Sequence, residues 1–247
     1  LLTLGAMPSK AVRGGLQVAS LLLPLLFWTA IASLGLVDEK FLPSPQAVFR
    51  SLASMAESGI LFQDIVASTG RVFGGFLLAT LLAVPIGICM GVYPAICAIC
   101  EPLIAMLRYM PAAAFIPLLI IYLGIGEEPK IALIFLGTIY FNILMVMDAV
   151  KFVPKELIET TLTLGGRSRQ VLVQVVARYS LPSIIDTLRI NIATSWNLVV
   201  VAELVAAEVG LGKRIQLAQR FFRTDQIFAE LIVLGLIGFA IVMGLRL

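Results

Sequence analysis

The chain has 247 residues, of which 60% are hydrophobic and only 13% are charged, whereas soluble domains have roughly 45–50% apolar and about 25% charged residues. This composition excludes an ordinary water-soluble domain and predicts a membrane protein. A formal net charge of +3 is too small to indicate a nucleic-acid partner, and we expect none. Because the chain contains no histidine, histidine-dependent metal sites and catalytic bases are excluded.

Six apolar segments are long enough to cross a bilayer, for which a helix needs about 20 residues. They are Gly14–Val37, Val72–Cys100, Tyr109–Gly126, Ile131–Met147, Pro182–Ala206 and Ile227–Leu245. The second segment is long enough to cross and then turn at Tyr93-Pro94. The pattern therefore predicts an all-α membrane protein with six transmembrane helices.

We expect two regions that meet after residue 63. Residues 1–63 contain the first span and, after Pro45, a helix-like spacing that predicts an interfacial helix. Residues 64–247 contain five further spans. The sequence shows no convincing internal repeat, which disfavours an inverted-repeat secondary transporter. Basic residues divide almost evenly between the two sides, so the positive-inside rule leaves the orientation open.

A polar stretch between the fourth and fifth spans, ETTLTLGGRSRQVLVQVVARYSLP (residues 159–182), interrupts the apolar pattern. Its first apolar residues share one face of a short helix, which Gly165-Gly166 ends with left-handed backbone. Ser168 can cap a second amphipathic helix, and Pro182 suits the first turn of the next span. The stretch therefore predicts two short helices joined by a bend. A helix on the bilayer surface and a docking element for a soluble partner are both compatible with this pattern.

The bent stretch resembles the EAA motif of ATP-binding-cassette (ABC) importer permeases, in which Glu-Ala-Ala is followed after three residues by Gly. Here the motif reads Glu159, Thr160, Thr161, with Gly165 four residues on. Three longer strings resemble the nitrate, sulfonate, taurine and bicarbonate permease subfamily. They are MLRYMPAAAFIPLLIIYLGIGEEPKI, PKELIETTLTLGGRSRQVL and LPSIIDTLRINIATSWNLVVVAELV. The blocks occur in the subfamily's order, and the likeness covers roughly residues 64–247.

This resemblance implies a type I ABC importer permease fold with a cytoplasmic coupling helix between the fourth and fifth transmembrane helices. The coupling helix would sit in a groove of a separate ATPase subunit, which would bind ATP and Mg²⁺. The residues assigned to that contact are Glu159, Thr160, Thr161, Leu162, Gly165 and Gly166. The other implied partners are a second permease copy, expected to form a homodimer, an external solute-binding protein and the lipid of a bacterial inner membrane. Threonine adds only a methyl and a hydroxyl to the alanines of the motif, so we expect docking to survive.

No cofactor is expected in this chain. Its phosphate-loop-like string, EVGLGKR, lacks the glycine five residues before Gly212 and has Arg214 where a Ser or Thr should bind magnesium. An intramembrane enzyme would need a catalytic group inside the bilayer, whereas Asp148 and Asp186 lie near span ends. We therefore expect a non-enzymatic subunit.

Polar side chains inside the spans are candidates for a solute pathway, because exposing them to lipid is costly. The residues assigned to it are Asn142, Asn191, Thr194, Ser195, Trp196, Asn197, Glu203 and Arg108. The alternative for the small polar residues is that they hold neighbouring helices together. Arg108 can equally snorkel at a span end, and Glu203 can be paired or interfacial. Both interpretations stay open.

The expected function is that of a permease subunit in an ATP-driven, binding-protein-dependent importer for a small polar solute. The resemblance implies an oxyanion of the nitrate, sulfonate, taurine or bicarbonate class, without selecting among these solutes. The alternative is a self-sufficient channel or secondary transporter, in which the polar loop is only a surface helix. Copurification with an ATPase subunit distinguishes the two hypotheses.

Overall fold

The computed structural model describes residues 9–245, and every regular element within them is helical. The first eight residues of the expected amino-terminal region and the last two of the expected core lie outside the described residues. Five helices are long and apolar enough to cross a membrane, and a bent pair of shorter helices provides a sixth candidate span. The prediction of an all-α membrane protein with six spans is confirmed when the bent pair is taken as one span.

The helices follow one another through short connections. Their bounds are α1 (Lys10–Ser33), α2 (Pro45–Glu57), α3 (Ile60–Val92), α4 (Pro94–Arg108), α5 (Ile116–Leu123, after a 3-10 turn at Ala112–Phe115), α6 (Glu128–Lys151), α7 (Lys155–Thr163), α8 (Ser168–Gln170, π-helical Val171–Val176 and α-helical Ala177–Ala206), α9 (Leu211–Arg220) and α10 (Thr224–Gly244). The chain divides into two compact units. One contains the described residues up to Leu61 together with Ile215–Val233, and the other contains Phe62–Arg214 and the described residues from Leu234 onward.

The first unit is organised around the short amphipathic helix α2. The Ser44 hydroxyl caps α2, and Pro45 occupies its first turn, where a missing backbone N–H costs nothing. Val48 and Met55 lie on one face of the helix and form a small core with Ala229. The predicted helix after Pro45 is therefore present, with its apolar face buried.

In the second unit, α3 packs on α6 through small residues at every fourth position. They are Gly75, Ala79, Ala83, Gly87 and Gly91. A Cβ atom on Gly75 would lie 2.7 Å from the Ile134 Cβ, and one on Gly87 would lie 2.7 Å from the backbone oxygen of Ile143. Only glycine permits this approach, which is how membrane helices gain packing contacts without a hydrophobic driving force.

The third predicted span, Tyr109–Gly126, is not a single helix, and that boundary was wrong. α4 ends at Arg108, and the helical segment that follows the break is bent from α4 by 85°. Pro111 has no N–H to donate and disfavours helical backbone at Met110, so it interrupts the helix at this point. The third candidate span therefore combines α4 with the helical segment Ala112–Leu123, so it begins at Pro94 rather than at Tyr109.

The predicted second short helix of the polar stretch is likewise not separate. Ser168 is the first helical residue rather than the cap, and the backbone N–H of Arg167 donates to Gln170 Oε1 at 2.7 Å. The helix continues through a π-helical stretch into the fifth span, so Pro182 lies inside α8 instead of in its first turn. Within this continuous helix, Ser180 Oγ donates to Val176 O at 2.7 Å.

Candidate coupling segment and translocation site

The motif Glu159-Thr160-Thr161 lies on α7, which has no buried residue. The Thr161 hydroxyl donates to the Leu157 carbonyl at 2.7 Å, so this hydroxyl is satisfied within its own helix. Glu159 and Thr160 are exposed, and the Leu162 side chain is 48% exposed. The helix thus presents a carboxylate and an apolar side chain to its surroundings.

Backbone hydrogen bonds at two glycines end α7 and create the bend. Gly165 has a φ of +84°, which confirms the predicted left-handed residue. Its N–H donates to Leu162 O, and the N–H of Gly166 donates to Thr161 O, both at 2.9 Å, which is the Schellman arrangement. Gly166 serves a different purpose, because a Cβ there would lie 2.7 Å from Thr161 O. Gly165 therefore permits the left-handed backbone, and Gly166 leaves room for the Thr161 carbonyl oxygen.

One face of the bent segment is attached to the core of the second unit. Ile158 of α7 and Leu172 of α8 pack against a buried cluster that includes Val153, Val171 and Val176. Because packed side chains transmit displacement with little compression, the bend is mechanically linked to α6 and α8. We call residues 155–166, α7 with its glycine bend, the coupling segment.

Two predicted pathway residues join three helices through their amide groups. Asn142 on α6 and Asn191 on α8 are both buried, and Asn191 Nδ2 donates to Asn142 Oδ1 at 2.8 Å. Asn142 Nδ2 donates in turn to Thr80 Oγ1 on α3 at 3.3 Å. Both amides thus have partners inside this chain.

Ser195 and Trp196 also have partners on neighbouring helices. The hydroxyls of Ser195 and Thr138 lie 2.8 Å apart between α8 and α6. Trp196 is buried, and its indole N–H donates to Leu234 O at 2.9 Å. Gly238 makes room for the indole, because a Cβ there would lie 2.9 Å from Trp196 Cδ1.

The remaining α8 candidates, Thr194 and Asn197, are exposed. Together with the partly exposed Thr187, they lie seven and three residues apart along the chain, which places them on one face of the helix. The apolar side chain of Ile190, which is 60% exposed, lies on the same face between Thr187 and Thr194. Exposed polar side chains on a spanning helix are costly against lipid, which favours a polar neighbour or water beside Thr194 and Asn197. We call Thr187, Thr194 and Asn197 the exposed polar stripe.

Arg108 lies at the end of α4, where it is partly exposed. Its guanidinium carbon is 5.1 Å from the centroid of the Tyr109 ring and 5.7 Å from that of Phe141. The cation therefore contacts two aromatic rings, an arrangement that stabilises a partly desolvated guanidinium.

Glu203 is completely buried at the far end of α8 from the coupling segment. Its Oε1 accepts hydrogen bonds from Ser68 Oγ at 2.7 Å and from Arg71 Nη1 at 2.6 Å. Its Oε2 accepts from the backbone N–H of Gly212 at 2.8 Å. A buried carboxylate is tolerated because a cation and several donors surround it.

Further ion pairs extend from Glu203 in both directions. Arg71 Nη2 donates to Glu127 Oε1 at 2.8 Å, and Lys130 Nζ donates to the same oxygen at 2.8 Å. Arg214 Nε donates to Asp64 Oδ2 at 2.8 Å. The pairing balances three carboxylates against three cations. We call this set the buried charge network: Asp64, Ser68, Arg71, Glu127, Lys130, Glu203 and Arg214.

The network also holds the turn between α8 and α9. Asp64 Oδ1 accepts from the N–H of Gly210 at 2.8 Å, and Ser68 Oγ accepts from the N–H of Leu211 at 3.0 Å. Gly210 has a φ of +138°, and a Cβ there would lie 2.5 Å from the Glu203 carboxyl carbon. The turn thus needs glycine for both conformation and space.

Glu127 is the accessible end of the network, with 54% of its side chain exposed. The hydrogen bonds from Arg71, helped by Lys130, lower the pKa of Glu127 from 4.5 to about 2. It borders a cleft of about 500 Å³ with charged side chains of both signs. The cleft is lined by Arg71, Ile125, Gly126, Glu127, Lys130, Ala207, Glu208 and Val209.

Sequence reasoning found only Glu203 of this network. Arg71 directly precedes the predicted span Val72–Cys100, and Asp64, Ser68 and Arg71 are spaced by four and three residues, so they share a helix face. That spacing was a usable signal for a polar helix face. Within residues 9–245, no three Cys, Asp or Glu side chains are placed to hold a metal ion.

Comparisons with protein families and with individual proteins agree on the family of this chain. The model of the family "Binding-protein-dependent transport system inner membrane component" matches residues 83–246. The taurine transport system permease protein TauC of Escherichia coli (strain K12) is 36% identical over 236 residues, covering 94% of this chain and 86% of TauC. The putative aliphatic sulfonates transport permease protein SsuC of Bacillus subtilis (strain 168) is 32% identical, covering 88% of this chain and 80% of SsuC.

A solved structure shares the fold. A chain of the MetNI methionine ABC transporter, in an inward-facing conformation, matches with a TM-score of 0.67 over 76% of this chain and 93% of that chain. At 19% identity, this likeness concerns the fold alone. The family match extends over most of the spans, and the alignment with TauC covers nearly the whole chain. The chain therefore belongs to the binding-protein-dependent transport system inner membrane component family, as a non-catalytic permease subunit of an ABC importer.

Proposed function

We propose that the solute is a small oxyanion of the sulfonate class, such as taurine or an aliphatic sulfonate. The names of TauC and SsuC support this class, since they describe taurine and aliphatic sulfonate transport. Hydroxyl and amide groups of the kind found on α8 can solvate sulfonate oxygens. They carry no fixed charge that would hold the anion too tightly for release.

The observation that carries the proposal is the exposed polar stripe, in which Thr194 and Asn197 occupy the free face of a membrane-spanning helix. We infer that this face lines the translocation pathway and that a second copy of the chain closes the opposite wall. Asn142, Asn191, Ser195 and their bonded neighbours would act behind this wall, by keeping α8 at a set distance from α6.

We further propose that the coupling segment docks on a separate ATPase subunit, which binds ATP and Mg²⁺, while an external binding protein delivers the solute. The exposed Glu159 and Leu162 supply a charged and an apolar contact for the ATPase. The packing of Ile158 and Leu172 on the core supports transmission of the ATPase movement into α8.

The test uses the permease reconstituted with its ATPase and binding protein. Taurine, ethanesulfonate, nitrate and bicarbonate are compared for uptake and for stimulation of ATP hydrolysis, and the sulfonates are expected to give the largest effect. Thr194→Val combined with Asn197→Leu should reduce uptake without changing ATPase assembly. Thr29→Val on the exposed face of α1 is the matched control. Unchanged uptake by the double variant, or uptake without an ATPase subunit, would contradict the proposal.

A further inference from the structure

Phe222, in the turn between α9 and α10, has an unusual backbone conformation. Its φ is +53°, and the other residues with positive φ in the described part of the chain are all glycines: Gly35, Gly59, Gly124, Gly165 and Gly210. A bulky side chain is disfavoured in this region, because its Cβ crowds the following carbonyl oxygen. Phe222 therefore costs conformational free energy that glycine would avoid.

The hydrogen bonds at the end of α9 explain why residue 222 has a positive φ, but they do not explain why this residue is a phenylalanine. The N–H of Phe222 donates to Gln219 O at 3.2 Å, and the N–H of Arg223 donates to Ala218 O at 2.9 Å. These bonds form the same Schellman arrangement that ends α7, where glycine occupies the corresponding position. A glycine at 222 would make the same two bonds without strain.

Packing within the chain does not offset the strain. The Phe222 side chain is 78% exposed, and that of the preceding Phe221 is 73% exposed. The rings therefore gain little from burial in the chain itself. Strain that persists at an exposed aromatic residue indicates a contact outside the molecule.

The surroundings of the two rings indicate which contact this is. The apolar spanning helix α10 begins at Thr224, directly after the turn, so the rings lie at the depth where a span enters the bilayer. Exposed Arg220 and Arg223 flank them, and guanidinium groups bind phosphate oxygens through paired hydrogen bonds. Aromatic and basic side chains together are typical of the boundary between acyl chains and headgroups.

We propose that Arg220, Phe221, Phe222 and Arg223 form an interfacial anchor that binds the lipid surface, with the rings between headgroups and the arginines on lipid phosphates. The anchor directly precedes Thr224, the first residue of α10. It fixes the depth at which α10 starts. The proposal rests on the strained, exposed Phe222 at the start of a span and is independent of which solute is carried.

The first test separates backbone strain from side-chain contacts. In detergent, Phe222→Gly should raise the thermal midpoint of unfolding, because it removes the strain and loses no contact within the chain. Phe222→Ala keeps a Cβ in the left-handed conformation and serves as the matched control, with no such rise. A midpoint for Phe222→Gly that is no higher than that of Phe222→Ala would show that the backbone at this position is not strained and would overturn the proposal.

The second test locates the ring in the assembled transporter. Phe222→Trp is reconstituted in phosphatidylcholine vesicles containing phosphatidylglycerol and lipids brominated near the headgroup, and wild-type signal from Trp28 and Trp196 is subtracted. The added fluorescence should be largely quenched, and Arg220→Gln with Arg223→Gln should weaken the quenching. Leu164→Trp, also at an exposed helix end, is the control and should stay bright beneath the ATPase.

Two outcomes of this experiment would overturn the lipid anchor. Fluorescence of Phe222→Trp that is unaffected by brominated lipid in any vesicle would place the ring in water. Fluorescence that escapes the lipid quencher but changes when the external binding protein is added would assign the rings to a protein contact instead.

Discussion

The coupling segment and the buried charge network are both polar, yet they are built in opposite ways. In the coupling segment, Thr161 bonds to Leu157 and Gly166 bonds to Thr161, so each partner lies within five residues along the chain. In the network, Arg71 pairs with Glu203, 132 residues away. The first region is exposed and defined by local geometry, whereas the second is buried and exists only when distant helices meet.

Because of this difference, mutations in the two regions should have different effects. A change on the exposed face of the coupling segment should alter what the protein contacts and leave its fold intact. A change in the network should leave a charge in a dry environment and weaken the fold itself. The following variants test that distinction, in order of decreasing effect on stability.

Arg71→Met should cause the largest loss, because it leaves the fully buried Glu203 without its cation. We expect the free energy of unfolding to fall by about 3–5 kcal/mol. Denaturation in detergent, with folded yield as a second readout, measures the loss. Adding Glu203→Gln should restore part of the stability, because the uncompensated charge is then removed. A stable Arg71→Met single variant would show that the network is not structural.

Gly210→Ala and Gly165→Ala form a matched pair, since both glycines have positive φ. Each alanine should cost about 1–2 kcal/mol for the left-handed conformation. Gly210→Ala should cost about 1–3 kcal/mol more, because its Cβ meets the Glu203 carboxylate, whereas nothing lies within 4 Å at Gly165. Unfolding in detergent measures both variants, and equal losses would contradict the crowded turn.

The contribution of Glu127 should depend on pH. Because the folded-state pKa is lowered from 4.5 to about 2, the ionised carboxylate stabilises the fold above pH 4.5, and this contribution disappears as the pH falls toward 2. The stability difference between wild type and Glu127→Gln should thus be constant from neutral pH to about pH 5 and shrink below it. Since Glu127 is half exposed, the difference should be smaller than for Arg71. A stability difference between wild type and Glu127→Gln that increases as the pH falls would show that the ionised Glu127 does not stabilise the fold.

Glu159→Arg should have the smallest effect on stability, about 0.5 kcal/mol or less, because its side chain is exposed. Binding-protein-dependent uptake should nevertheless fall by about tenfold or more if the carboxylate contacts the ATPase. Glu156→Arg, one turn earlier on the same helix, is the control and should retain uptake. Full transport by Glu159→Arg would show that the Glu159 carboxylate does not contribute to the contact with the ATPase.

Sequence reasoning was most successful where structure depends on neighbouring residues. The left-handed Gly165 and the turn at Tyr93-Pro94 follow from local backbone preferences, which tertiary contacts did not override. The predictions were wrong where the length of an apolar run was used to place the start of a helix. The segment predicted to begin at Tyr109 is preceded by α4 and joined to it through a break at residues 109–111, and α8 continues through Pro182 instead of beginning there.

By itself, the sequence determined the membrane setting, the helical class and the position of the bend, because composition, apolar run length and glycine placement act over short distances. Only the tertiary structure decided which polar residues bond inside the chain and which remain exposed. Asn191 and Thr194 are three residues apart on one helix, yet the first is bonded to α6 and the second faces outward. The rotation of a helix against its neighbours sets that distinction, and it depends on packing that no local pattern encodes.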